Sequence, residues 1–131
     1  VLAKVGGLDI CAMAGVFLGA AEHKIPVVID GFISVVAALS AARICPAAKD
    51  YFIASHASFE PGYLLAVNEL GLEAPLLLKM RLGEGSGCPV MFRVLDASYA
   101  IMNEMATFEE ASINDSYLDE IRIGDNFTVK R

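Results

Sequence analysis

A glutamate set among glycines, Gly83-Glu84-Gly85-Ser86-Gly87, is the element of this sequence with the most chemical content. A carboxylate on a flexible turn that points into a cleft is placed to take up a proton as a general base. Two effects on its acidity oppose each other: a helix N-terminus would lower its pKa, and an apolar pocket built with Leu82 would raise it. The other reading is that Glu84 caps the helix that follows, although Ser86 is the better N-cap residue. The loop is not a dinucleotide fingerprint. Cys88 stands where GxGxxG needs its third glycine when counting starts at Gly83, and Val90 stands there when counting starts at Gly85. No Gly-Lys-Ser/Thr follows, so it is not a P-loop either.

Three further polar or glycine-rich clusters recur along the chain: Gly6-Gly7, Asp30-Gly31 and Ser55 to Gly62. Glycines there let backbone N–H groups approach a phosphate, and helix N-termini favour its charge. Strand-to-helix turns also need glycine for purely structural reasons, so one such loop alone says little. Asp30 either accepts from a ribose hydroxyl or caps the helix after it. Ser58 lies between His56 and Glu60, but without a GxSxG elbow this is not a hydrolase triad. A serine hydroxyl contacting phosphate is the more economical role. Lys4, Lys79 and Arg81 are candidate anion partners. Cys11, Cys45 and Cys88 are widely spaced, and His23 and His56 are isolated, so no metal site is expected. Sequence distance leaves a Cys–His nucleophilic pair open, with no motif in its favour.

The elements that must position these loops follow from hydrophobic patterning. Val1 to Val5 reads as the end of a strand, broken by Gly6-Gly7. Leu8 to His23 reads as a helix apolar nearly all round, with Asp9 complementing its N-terminal dipole. Pro26 to Ile29 is a buried parallel strand, and Phe32 to Cys45 is a second, almost wholly apolar helix stopped by Pro46. Asp50 to Ala54 and Leu76 to Leu78 are further strands. A helix between them ends near Leu70, with Gly71 as its C′ glycine. The last helix runs from about Pro89 to Met105 with the stripe Met91, Val94, Leu95, Ile101, Met102 and Met105. This alternation predicts an α/β fold with a parallel sheet and helices on both faces, a Rossmann-like three-layer arrangement. Residues 1–88 form the α/β part, 89–111 a helix that joins a small helical subdomain, and 112–131 an acidic tail, marginally ordered at best. A sheet this small cannot cover two all-round apolar helices, so other polypeptide is expected to complete their burial.

Composition bounds the function. The chain has 131 residues, 56% of them hydrophobic and 20% charged, which excludes intrinsic disorder. A net charge of −6 argues against a nucleic-acid or anionic-membrane partner. The uncharged runs Ile10 to Ala21 and Gly31 to Ala42 are too short to cross a bilayer. No secretion signal is evident and the thiols do not form a disulfide pattern, so a cytoplasmic location is expected.

Five ordered segments together resemble one family, the nicotinate-nucleotide–dimethylbenzimidazole phosphoribosyltransferases. They are Val5 to Ile10, Ile25 to Phe32, Ser58 to Gly62, Arg81 to Gly87 and Asn103 to Phe108. The resemblance covers residues 1 to about 111 and only the C-terminal third or so of the family's chain. It implies transfer of the ribose phosphate of nicotinate mononucleotide to 5,6-dimethylbenzimidazole, giving α-ribazole 5′-phosphate and nicotinate in cobalamin biosynthesis. Configuration at the anomeric carbon inverts. Glu84 matches the general base, and Leu82, Gly83 and Gly85 match the base pocket and its loop. Asp30, Gly31 and Ser58 match positions near the ribose phosphate. The resemblance implies no metal or cofactor, a homodimer, and an N-terminal part of the same enzyme as the missing partner, without which this chain is not expected to be competent. Ser86 stands where the family has threonine, and Ser55-His56-Ala57 and Tyr63 stand for Gly-His-Arg and His. The competing reading is a non-catalytic nucleotide-binding or assembly module.

Overall fold

The computed structural model describes residues 2–114. The elements run α1 (Leu2–Val5), α2 (Leu8–Glu22), β1 (Val27–Ile29), α3 (Phe32–Ile44), a 3₁₀ helix (Pro46–Tyr51), β2 (Phe52–Ala54), α4 (Pro61–Glu69) and α5 (Gly87–Glu104). The fold is mixed α/β with a small parallel sheet. Two compact units divide the chain, Val1–Leu95 and Asp96–Arg131.

In the first unit the β-branched run Val27–Ile29 pairs in parallel with Phe52–Ala54, Val27 opposite Phe52 and Ile29 opposite Ala54. The crossover between them is α3. Its alanines are the reason it fits there: Ala37, Ala38 and Ala41, with Val35, are wholly buried, and small side chains let α2, α4 and the 3₁₀ helix approach its axis closely. Phe17 of α2 meets Phe52 of β2 edge to face, centroids 4.9 Å apart, a geometry that adds about 0.5–1.5 kcal/mol beyond the area buried. Gly71 ends the α4 turn with φ +71°, as its C′ position requires.

Several expectations are corrected. The supposed strand at the N-terminus is the single helical turn α1, closed by Gly6 N–H donating to Leu2 O at 2.9 Å. With no described strand beside it to pair with, that segment satisfies its backbone locally. Asp50 and Tyr51 belong to the 3₁₀ helix, so β2 begins two residues later than the pattern implies. Leu76 to Leu78 is not a regular strand. Leu76 makes one isolated parallel bridge with His56, and Met80 O accepts from Phe59 N–H at 3.2 Å. Pro75 lacks a donor and Lys79 turns to φ +52°, which limits the pairing at both ends. The two apolar helices also differ. α3 buries Val35, Ala37, Ala38 and Ala41 but exposes Ile33 and Ile44, whereas α2 buries only Ala14 and Phe17 and exposes Leu8 and Val16.

α5 begins at Gly87, two residues before Pro89, and among its described residues only Gly87 and Met91 are buried. Of the rest of the stripe, Leu95 is half-buried and Val94, Ile101, Met102 and Met105 are exposed. In the second unit, beyond α5, Thr107 and Glu110 cap each other. Thr107 N–H donates to Glu110 Oε2 at 2.8 Å, and Glu110 N–H returns to Thr107 Oγ1 at 3.2 Å, the reciprocal geometry of a capping box. The Thr107 N–H, and then the Thr107 hydroxyl donating to the same oxygen at 3.1 Å, hold the Glu110 carboxyl below its ordinary pKa. Of the acidic tail, residues 115–131 lie outside the described residues. No described helix is long and apolar enough to cross a membrane.

Candidate active site

Three segments that follow the paired strands and their irregular neighbour open onto one cleft of about 540 Å³. All seven residues singled out from sequence line it: Asp30 and Gly31 after β1, Ser58 after β2, and Leu82, Gly83, Glu84 and Gly85. Of the candidate cations, Arg81 lines the cleft and Lys4 and Lys79 do not. Arg81 sits 6.0 Å from the centre of the Phe59 ring, at the outer limit of a cation–π contact.

The loop carrying Glu84 has an unusual backbone. Gly83, Glu84 and Gly85 all have positive φ, +76°, +56° and +77°. The glycines take that conformation freely, but for a side-chain-bearing residue it costs on the order of 1–2 kcal/mol. The glutamate side chain is exposed and makes no hydrogen bond among the described residues. It does not cap α5.

Nor does Ser86, whose hydroxyl is buried without a hydrogen-bond partner among the described residues. The residue that serves the N-terminus of α5 is Asp30, from the other side of the cleft. Its Oδ1 accepts from Gly87 N–H at 2.8 Å and its Oδ2 from Gly85 N–H at 3.1 Å. Neither sequence-based role for Asp30, ribose acceptor or cap of α3, describes these contacts. Glu60 is what reaches the start of α3, its Oε2 accepting from Phe32 N–H at 3.4 Å and from the Ser58 hydroxyl at 3.1 Å. The proton of the Ser58 hydroxyl is therefore engaged within its own loop.

Beneath Asp30 lies a polar cluster that sequence reasoning did not assemble. Ser55 and His56 are fully buried at the end of β2. The Ser55 hydroxyl and His56 Nδ1 are 3.0 Å apart, and Nδ1 is 3.9 Å from Asp30 Oδ1. The His56 ring stacks on Tyr63 with an interplanar angle of 16°. Burial, and then the Asp30 charge, push the Tyr63 phenol up to about 12, and its oxygen is buried with no hydrogen-bond partner among the described residues. A side chain at position 87 would collide with the His56 ring and with Asp30 Oδ1, so that glycine is required by close approach. The only signal available in the sequence was a third glycine in a loop that already had two.

The Cys88 thiol donates to Val28 O at 3.6 Å and is pushed up by burial and then by Asp30. A nucleophilic cysteine needs the opposite shift, so Cys88 is not set up as one. No group of three or more His, Cys, Asp or Glu among the described residues is arranged to hold a metal ion.

Comparisons with known proteins agree with one another. The family model described as phosphoribosyltransferase matches residues 1–113. A nicotinate-nucleotide–dimethylbenzimidazole phosphoribosyltransferase of Clostridium perfringens is 61% identical over 122 residues, which is 93% of this chain and 34% of that protein. The protein of that name from Ruminiclostridium cellulolyticum is 53% identical over 113 residues, 86% of this chain and 32% of its own length. The crystal structure of the Thermus thermophilus protein superposes with a TM-score of 0.83 at 39% identity, covering 88% of this chain and 34% of that one. The chain thus spans about a third of the length of the relatives it matches.

Proposed function

The chain belongs to the phosphoribosyltransferase family whose model spans residues 1–113, and from that premise we propose that its cleft serves transfer of the ribose phosphate of nicotinate mononucleotide to 5,6-dimethylbenzimidazole. The relatives named above carry this substrate pair in their names. In the reaction the base nitrogen forms a bond to the anomeric carbon while the bond from that carbon to the nicotinate nitrogen breaks. The bonding pair leaves with nicotinate, and the N–H proton of the benzimidazole passes to the Glu84 carboxylate. Attack from the face opposite nicotinate inverts the centre and gives α-ribazole 5′-phosphate, a step of cobalamin biosynthesis.

Leu82, Gly83 and Gly85 frame the benzimidazole beside Glu84. Gly31 and Ser58 lie toward the ribose phosphate, with Arg81 as the cation on the cleft wall. The active form is a cytoplasmic homodimer in which the remaining two-thirds of a full-length enzyme complete the pockets, and this chain alone does not turn over. Residues 1–88 act as part of the α/β domain and 89–111, which include most of α5, as part of a small helical subdomain.

One observation carries the reading. Glu84 is held at positive φ on a glycine-flanked turn, exposed and without a hydrogen bond in a cleft lined by the other residues of the pattern. Strain of that kind persists where a side chain has work to do. The alternative is a nucleotide-binding or assembly module without catalysis.

Replacing the matched segment of the C. perfringens relative by residues 1–113 of this chain, and following nicotinate release, separates the two. The reading predicts turnover, with Glu84→Gln slower by about 10²–10⁴-fold, the usual contribution of a general base. Undiminished turnover by Glu84→Gln would remove Glu84 from that role. A hybrid that binds nicotinate mononucleotide without turnover favours the binding module.

A further inference from the structure

We propose that Asp30 is a positioning residue: it sets the conformation of the loop that presents Glu84. This rests on the reading of Glu84 as the general base.

The Asp30 carboxylate spans the loop at two points, Gly85 N–H at 3.1 Å and Gly87 N–H at 2.8 Å. These partners lie 55 and 57 residues away in sequence, and together with the longer contact of the Cys88 thiol to Val28 O they hold the segment against the end of β1. The Gly85 N–H belongs to the peptide plane that begins at Glu84. Fixing its direction fixes ψ of Glu84, and with it the direction in which the side chain leaves the backbone. Turn bonds from Ser86 N–H to Gly83 O at 2.9 Å and from Cys88 N–H to Gly85 O at 3.1 Å close the positive-φ loop on itself. The Gly85 N–H is not used by either of them, and Asp30 takes it.

Asp30 is itself held. It is 8% exposed, His56 Nδ1 lies 3.9 Å from Oδ1, and the Ser55 hydroxyl donates to Asp30 O at 3.4 Å. The bare Cα of Gly87 admits the close approach. Charge-assisted bonds to N–H groups at a helix N-terminus are among the stronger ones a carboxylate makes. Both oxygens are committed to the loop. The side chain therefore acts on the reaction through Glu84, and its substitution should slow the chemical step more than it weakens nucleotide binding.

Asp30→Asn keeps the size but replaces one acceptor oxygen by a donor that faces an N–H. Amide exchange on this chain reads the anchor without any need for turnover. Gly85 and Gly87 amides should exchange at least about tenfold faster in Asp30→Asn, while the Val35 amide in α3 keeps its rate. Unchanged exchange at Gly85 and Gly87 overturns the proposal. Should Asp30→Asn fail to fold, Asp30→Ser gives the same comparison.

In the hybrid enzyme, kcat should fall by about 100-fold, the scale of an ångström-sized misplacement, with KM for nicotinate mononucleotide within about twofold. A KM raised tenfold at unchanged kcat makes Asp30 a substrate contact and also overturns it. Failure of the underlying reading looks different: Glu84→Gln then turns over at full rate, while the exchange result still reports on the anchor.

Discussion

α3 and α5 are held in opposite ways. α3 is fixed along its length: Val35, Ala37, Ala38 and Ala41 are wholly buried, and at its start Phe32 N–H makes one long bond to Glu60 Oε2, 3.4 Å. α5 is anchored at its start by a side chain. Its described buried residues are Gly87 and Met91, and the amides of Gly85 and Gly87 at its start are taken by the carboxylate of Asp30. Apolar packing is non-directional and tolerates no removal of volume, whereas a pair of charge-assisted bonds is directional and can be altered without emptying the core. The loop that carries Glu84 is thus seated by the kind of contact that sets direction, above a core supplied by the other kind.

The comparison can be broken from either side. Val35→Ala should cost about 2–3 kcal/mol, the transfer of two methyl groups plus the cavity they leave, seen as a lower urea midpoint. Local exchange at Gly85 should stay slow in that variant, and a faster rate there at native temperature would mean that the core and the loop are not separable. Gly87→Ala comes next. Its methyl group must displace His56 or the start of α5, an overpacking cost of about 2 kcal/mol, and here Gly85 exchange should quicken.

Two substitutions should stabilise. Tyr63→Phe removes a buried hydroxyl without a described partner and should gain about 1 kcal/mol. The gain should widen at high pH. The folded state holds the Tyr63 proton up to about pH 12 against 10 for the ordinary phenol, so above 10 the unfolded chain ionises first and the native state loses ground. Wild-type melting temperature should therefore fall more steeply between pH 10 and 12 than that of Tyr63→Phe, and parallel curves would refute the assignment. The smallest effect is Glu84→Gly. Relief of about 1–2 kcal/mol of left-handed strain exceeds the roughly 0.5–1 kcal/mol entropic cost of glycine. A net gain of about 0.5–1 kcal/mol is expected in denaturant titration, together with loss of transfer. A less stable Glu84→Gly would show that the conformation is not strained.

The parts legible in the sequence were those decided locally. β1, α3 and the C′ role of Gly71 follow from β-branching, apolar periodicity and a left-handed turn. The seven residues share a cleft because loops at strand ends of a parallel sheet face one edge. What stayed hidden depends on partners distant in sequence or on missing ones. Val1 to Val5 has the composition of a strand, but α1 forms where no described strand offers a ladder. Asp30 carries no sign of a partner 57 residues on, since an Asp-Gly pair at a strand end serves a cap, a ligand or a tether equally well. Ser86 is a good cap by type, yet the Asp30 carboxylate takes the amides near it, and its hydroxyl is left without a described partner.

The most direct test is to titrate the ¹⁵N-labelled chain with nicotinate mononucleotide and with α-ribazole 5′-phosphate while following backbone amides. The account predicts saturable shifts at Gly31, Ser58, Gly83 and Gly85, with the product moving the Glu84 loop further than the substrate does. Shifts confined to the separate groove between Leu2 and Ile44, with the Glu84 loop unmoved at saturation, would contradict it.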